Sequence, residues 1–223
     1  MCFSATASIA AAAFLIGISA LTIKAARTPA EVPFAAIPLL FGLQQLCEGA
    51  IWLGFSHEAP LARPLLTHLY SFFSHVLWPA YIPLAVLLLE PPGQRRRMLR
   101  WCVAIGSAVA LYLLAIIVTN PIIAQPVGKH IEYISPHFLA PATMAWYLVA
   151  VAISPLLSSH RPVVIFGVMA LLSFAGAWVF YMNWFISVWC LFMAVLSGII
   201  LFHFRPHSRL APAAAPQKQG PRG

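Results

Sequence analysis

Two ionisable side chains, Glu48 and His75, stand inside apolar runs of this chain. A charged group at the centre of a bilayer costs about 3 kcal/mol on insertion scales, so such residues are functional candidates by default. Glu48 sits in Gln44-Gln45-Leu46-Cys47-Glu48-Gly49, and His75 ends His68-Leu69-Tyr70-Ser71-Phe72-Phe73-Ser74-His75. Gln44, Glu48 and Trp52 are spaced i, i+4, i+8; His68, Ser71 and His75 are spaced i, i+3, i+7. Each set therefore falls on one face of a helix. A carboxyl and an imidazole on facing helices support three chemistries. They can share a hydrogen bond that joins helices. They can be acid/base partners or metal ligands in a hydrolase or transferase acting at the outer leaflet, with Glu48 and His75 catalytic. They can hold a small solute, a proton or a haem. Gln44, Gln45, Ser71, Ser74, His68 and Asn183 are the candidate substrate-binding groups.

The metal reading needs a third ligand. His68 and His75 are about 10 Å apart along a straight helix, whereas two ligands of one zinc lie about 3–4 Å apart. The ligand set is therefore Glu48, His75 and a group from the Asn120–His137 stretch, with His137 first and His130 or Glu132 as substitutes. Zinc or another divalent metal fits such donors. Haem is disfavoured, because only His75 is placed as an axial ligand.

The elements that position these groups follow from composition. The chain has 223 residues, 61% hydrophobic and only 8% charged, with a mean hydropathy of +0.88; a soluble domain carries roughly 25% charged residues. Its solvent must be largely lipid. The net charge of +8 lies in short clusters between apolar runs and not on one face, which argues against nucleic acid as a partner. There is no aspartate and only five acidic residues in all. That excludes a Ser-His-Asp triad and Asp-rich magnesium sites, and no glycine-rich phosphate loop is present. The four cysteines have no C-x-x-C pairing, so a disulfide framework is not expected. The first apolar run lacks a basic n-region and does not read as a signal peptide.

A bilayer core needs roughly 20 apolar residues per helix. Seven stretches qualify: Ser4–Ala25, Pro33–Phe55, His68–Leu89, Leu99–Val118, Phe138–Leu157, Pro162–Phe180 and Trp184–Phe204. The expected fold is all-α and polytopic, with seven transmembrane helices in residues 1–204 and a disordered basic tail in 205–223. With the N-terminus outside, eleven lysines and arginines fall on the cytoplasmic side and only Arg63 and Lys129 outside. This asymmetry sets orientation and places the tail in the cytoplasm, where its charge can rest on anionic lipid. The expected location is a plasma membrane, the inner membrane of a bacterium.

Orientation turns the two residues into one site. Glu48 lies seven residues before Phe55, and His75 seven after His68, so both sit about 10 Å below the outer surface. Pro79 removes the N–H that the His75 carbonyl would accept, and a kink there widens the bundle. The long Asn120–His137 loop and the Asn183/Ser187 pair start on the same outer side, as do five of the eight histidines (His57, His68, His75, His130, His137). An outward-opening polar pocket between the first three spans and that loop is the resulting expectation. Its ligand is a lipid or a small molecule.

Other signals carry less. His203 and His207 have metal-ligand spacing but lie at the opposite face, with Pro206 between them. Ser4, Ser8 and Ala12 form a small-residue stripe suited to close helix packing. Cys2 becomes an N-terminal nucleophile if Met1 is removed, with no base near it in sequence.

Met1-Cys2-Phe3-Ser4-Ala5-Thr6-Ala7-Ser8, Pro33-Phe34-Ala35-Ala36-Ile37-Pro38-Leu39-Leu40-Phe41-Gly42 and Gln44 through Leu53 together resemble a family of small, uncharacterised, mainly bacterial integral membrane proteins. That resemblance implies a plasma-membrane location and no substrate. A looser likeness, to seven-helix zinc amidases such as alkaline ceramidases, rests on helix count and orientation. In that family a histidine of an early span joins an H-x-x-x-H of the last. Here His75 and the His203/His207 pair lie on opposite sides, so the zinc site does not transfer.

Overall fold

The computed structural model describes residues 4–56, 62–134 and 140–204. Among these, six helical stretches are long and apolar enough to cross a membrane: Ala5–Ala25, Val32–Phe55, Arg63–Leu89, Gln94–Thr119, Arg161–Phe180 and Met182–His203. The chain is a helical membrane protein. A seventh apolar stretch, Pro141–Leu156, is shorter. Helices begin earlier than hydropathy alone indicates at Ala62 and Gln94, because polar first turns at a helix end add nothing to an apolar run. The basic tail, 205–223, lies outside the described residues, as do Cys2, His57, His137 and His207.

Helix α1 (Ala5–Ala25) starts on Ser4, whose side chain accepts from the Ala7 N–H. The short α2 (Val32–Ala35) leads into α3 (Ile37–Ser56). The small-residue stripe of α1 meets glycines of α3. A Cβ on Gly42 would lie 3.0 Å from Ile16 Cγ1, and one on Gly49 2.8 Å from Ile9 Cγ1. Ser8 and Ala12 are buried in this seam, while Ser4 is exposed.

The third stretch is not one α-helix. It runs as α4 (Ala62–Ser71), a π segment (Phe72–Leu77) and α5 (Trp78–Leu89). Within it the Trp78 N–H bonds to the carbonyl of Phe73. The same device recurs in the Pro141–Leu156 stretch: α7 (Pro141–Leu148), a second π segment (Val149–Ile153) and α8 (Ser154–Leu156), with the Ser154 N–H on the Val149 carbonyl. Each π segment ends two residues before a proline, Pro79 or Pro155. A proline ring presses on the carbonyl four residues back and offers it no N–H; one wider turn just upstream absorbs the mismatch. The kink expected at Pro79 is thus a π-widened turn containing His75. Pro79 of α5 and Ala150 of the second π segment both face Gly106 of α6 (Gln94–Thr119), where an added Cβ would collide with the Pro79 carbonyl and touch Ala150.

To the expected all-helical architecture the structure adds one element. The stretch read as an irregular loop contains an antiparallel hairpin, β1 (Ile123–Val127) and β2 (His130–Ile134). Val127 pairs with His130 across the two-residue turn Gly128-Lys129, and Gly128 has φ 63°, the positive value such hairpin turns require. Ile131 and Tyr133 alternate inward.

Hydrogen bonds fix which helix ends share a level. The Glu90 carboxylate, after α5, accepts from Ser158 Oγ at 3.0 Å and from the Ser159 N–H at 2.9 Å. Arg95, at the start of α6, donates to the Ser158 carbonyl at 2.7 Å. The end of α8 therefore lies at the α5–α6 end of the bundle, whereas Ala142, Thr143 and Trp146 of α7 share a recess with Ile105, Val109 and Tyr112 of α6. The α7–π–α8 stretch thus packs along α6 from the level of Tyr112 to the α5–α6 end. Helix α9 (Arg161–Phe180), a 3-10 turn (Met182–Trp184), α10 (Phe185–Leu196), a second 3-10 turn (Ser197–Ile199) and α11 (Ile200–His203) complete the path.

Candidate functional site

Gln44, Gln45, Glu48, Ser71, Ser74 and His75 are all at most 1% exposed. The two expected polar faces do turn into the bundle, where neither water nor lipid reaches them. Glu48 Oε1 accepts from Ser187 Oγ of α10 at 2.6 Å. Gln44 Oε1 accepts from Trp78 Nε1 at 2.7 Å, and the Trp78 ring stacks on Phe41 with centroids 3.8 Å apart. Ser74 Oγ shares a 2.7 Å hydrogen bond with His75 Nδ1. Tyr147 of α7 donates to the Ser74 carbonyl at 2.6 Å, inside the π-widened turn where carbonyls leave the regular ladder. Cys47 Sγ donates to the Leu66 carbonyl. The Cys190 thiol of α10 lies against Gln44 and Tyr70 and in electrostatic range of Glu48. Helices α3, α4, α5, α7 and α10 thus contribute to one buried polar layer.

The layer is not fully satisfied within the protein. Among the described residues neither amide atom of Gln45 has a hydrogen-bond partner, nor does Ser71 Oγ. Buried polar groups of this kind are ordinarily paired. A small cavity of about 10 Å³, lined by Phe41, Trp78, Tyr147, Val151, Trp189, Cys190 and Met193, borders the layer. It has room for about one water.

The hairpin covers one end of the layer. Tyr133 stacks on Tyr70 with centroids 4.4 Å apart and planes 7° apart. His130 stacks on Trp184 at 4.6 Å, and burial lowers its pKa from the usual 6.5. Gln125 Nε2 donates to Glu132 Oε2 at 2.6 Å. The hairpin of the Asn120–His137 stretch thus packs against Tyr70 and Trp184 at that end of the layer.

Two expected members stand apart. His68 is only partly buried, its Nδ1 within hydrogen-bond distance of the Pro64 carbonyl at 2.8 Å. Asn183 is exposed in the 3-10 turn, so it does not share a helical face with buried Ser187. His137, the third metal ligand of the sequence reading, lies outside the described residues; among those described, no three of His, Cys, Asp and Glu are grouped to hold one ion. His203 is buried at the opposite end, edge-on to His160 and Phe34. Tyr70, Tyr147 and Cys190 were not singled out from sequence. They belong to apolar runs, and only their shared depth could have pointed to them.

A family model described as "Family of unknown function (DUF6629)" matches residues 1–217, and the chain belongs to that family. Comparison with curated proteins and with solved structures gave no match.

Proposed function

We propose that this member of the family of unknown function crosses a plasma membrane seven times, N-terminus outside, and takes up a proton or a small cationic solute at Glu48 beneath the hairpin. In a bacterium that membrane is the inner one. The seventh crossing is supported by the path of the apolar Pro141–Leu156 stretch along α6, from the level of Tyr112 to the α5–α6 end. The orientation is supported by the excess of lysine and arginine at the end opposite the hairpin.

The observation that carries the ligand reading is the company Glu48 keeps. Its carboxylate receives a neutral hydroxyl, that of Ser187, with the amides of Gln44 and Gln45 within one turn of the same helix. No lysine or arginine is among the buried described residues. An intramembrane carboxyl of this kind is a group to which a proton or a cation can bind. The amide groups of Gln45 offer further hydrogen bonds to a solute.

The test is flux into vesicles carrying an internal pH dye, with the purified protein reconstituted. Protons under an imposed gradient and ethylammonium are the two probes. Flux of one of them should be present in the native protein and lost in Glu48→Gln. Equal flux of both in the two proteins overturns the reading. A second reading, a metal-dependent hydrolase or transferase on Glu48, His75 and His137, is favoured by one contact. Ser74 fixes His75 through Nδ1, as outer-shell partners orient metal-binding imidazoles. Elemental analysis of native protein, Glu48→Gln and His75→Ala separates the two: bound zinc lost in both variants supports the metal.

A further inference from the structure

At the end of the bundle opposite the hairpin, a cavity of about 630 Å³ is lined by Pro92, Gly93, Gln94, Arg96, Arg97 and Arg100. Three guanidinium groups border it and no carboxylate does. The nearest acid in sequence, Glu90, is 3% exposed and is turned inward onto Ser158 and Ser159. Its charge is thereby withheld from the arginines. Two neighbouring contacts hold the corner in place: Arg96 Nη1 donates to the Glu90 carbonyl at 3.0 Å, and Arg95 Nη1 to the Ser158 carbonyl at 2.7 Å. Arg97 and Arg100, three residues apart on α6, remain on its exposed side.

We infer that this arginine-lined cavity binds the phosphate of an anionic phospholipid headgroup. Planar guanidinium forks match phosphate oxygens, and basic recesses at membrane-helix ends accept lipid phosphates. The lipid source follows from the flanks. Met98 and Trp101, on the same first turns of α6, are 44% and 69% exposed. An exposed tryptophan beside arginines marks the headgroup level, so a phosphate seated here leaves its acyl chains along α6. The first turn of α6 carries no acidic residue, which suits an anion.

The experiment is native mass spectrometry and lipid titration of the full chain in detergent. Dioleoylphosphatidylglycerol is the probe and dioleoylphosphatidylcholine the zwitterionic control. In the double variant Arg97→Gln/Arg100→Gln, phosphatidylglycerol affinity should fall about thirtyfold, at about 1 kcal/mol per basic residue. Arg161→Gln, at the same end but outside the cavity, should leave it unchanged, and millimolar inorganic phosphate should not displace the lipid. Equal losses in the two variants make the binding a diffuse surface effect and overturn the site. Displacement by inorganic phosphate shows a free-anion site and overturns the lipid assignment. A circular-dichroism melt unchanged in the double variant ensures that lost binding is not lost folding; if the melt does change, Arg97→Lys/Arg100→Lys replaces it and should retain part of the affinity.

Discussion

Ser187 Oγ and Glu48 Oε1 are 2.6 Å apart although 139 residues separate them in sequence. The bond ties the third-from-last turn of α3 to the start of α10 and gives the buried carboxylate a donor. Removing it leaves the acceptor in a dry layer, at a cost of about 1–3 kcal/mol. Ser187→Ala should lower the unfolding midpoint in detergent, whereas Ser187→Thr keeps the hydroxyl and should recover most of the loss. Thermal melts followed by tryptophan fluorescence check both.

Gly106 of α6 lies where α5, at Pro79, and the second π segment, at Ala150, come closest to it. With any side chain there, the Pro79 carbonyl must move. Overpacking of this kind costs about 1–3 kcal/mol, and more when backbone is the obstacle. Gly106→Ala should sharply reduce the yield of folded, monodisperse protein. Gly176→Ala, where a Cβ would meet nothing within 4 Å, should behave like the native chain.

The stacked pair Tyr70–Tyr133 makes the hairpin a cover. A ring pair contributes about 0.5–1.5 kcal/mol beyond area burial, so Tyr133→Ala should loosen the cover without unfolding the bundle. Cys47 and Cys190 are free and buried, and they report the opening. A small water-soluble thiol reagent should label them slowly in the native protein and many-fold faster in Tyr133→Ala. Equal rates would show that the hairpin does not guard the layer.

His130 gives the cover a pH dependence. Its folded pKa lies below 6.5 because of burial. The unfolded or undocked form therefore binds a proton first as pH falls through about 6.5. Docking is fully stabilised above that value and weakens on acidification toward the lower folded pKa. Hydrogen-exchange protection factors in Ile123–Val127 and His130–Ile134, corrected for the intrinsic pH dependence of exchange, should fall below about pH 6.5 in the native protein. His130→Gln should show a flatter profile.

Composition and apolar run length made the membrane class and most of the spans legible in the sequence. Burial of Gln44, Glu48, Ser71 and His75 was legible too, because helical spacing assigns faces without knowledge of the partner. The hairpin was hidden. Its alternation is only five residues per strand, and the turn is Gly-Lys rather than a stronger Asn-Gly. Proline gave the position of the distortion but not its form, since a kink and a π turn relieve the same clash. Asn183 and Ser187 have helical spacing, yet a 3-10 turn breaks it; that turn depends on tertiary packing around Trp184. The contributions of Tyr147 and Cys190 come from segments remote in sequence, and no local pattern encodes them.

The most direct test of Glu48 as an exchangeable site is an infrared difference spectrum of membrane-reconstituted protein between acid and alkaline pH, compared with that of Glu48→Gln. The account predicts a protonated-carboxyl band that rises on acidification in the native protein and is missing from the variant. Superimposable spectra would contradict it, showing that Glu48 never exchanges its proton and that the polar layer only holds helices together.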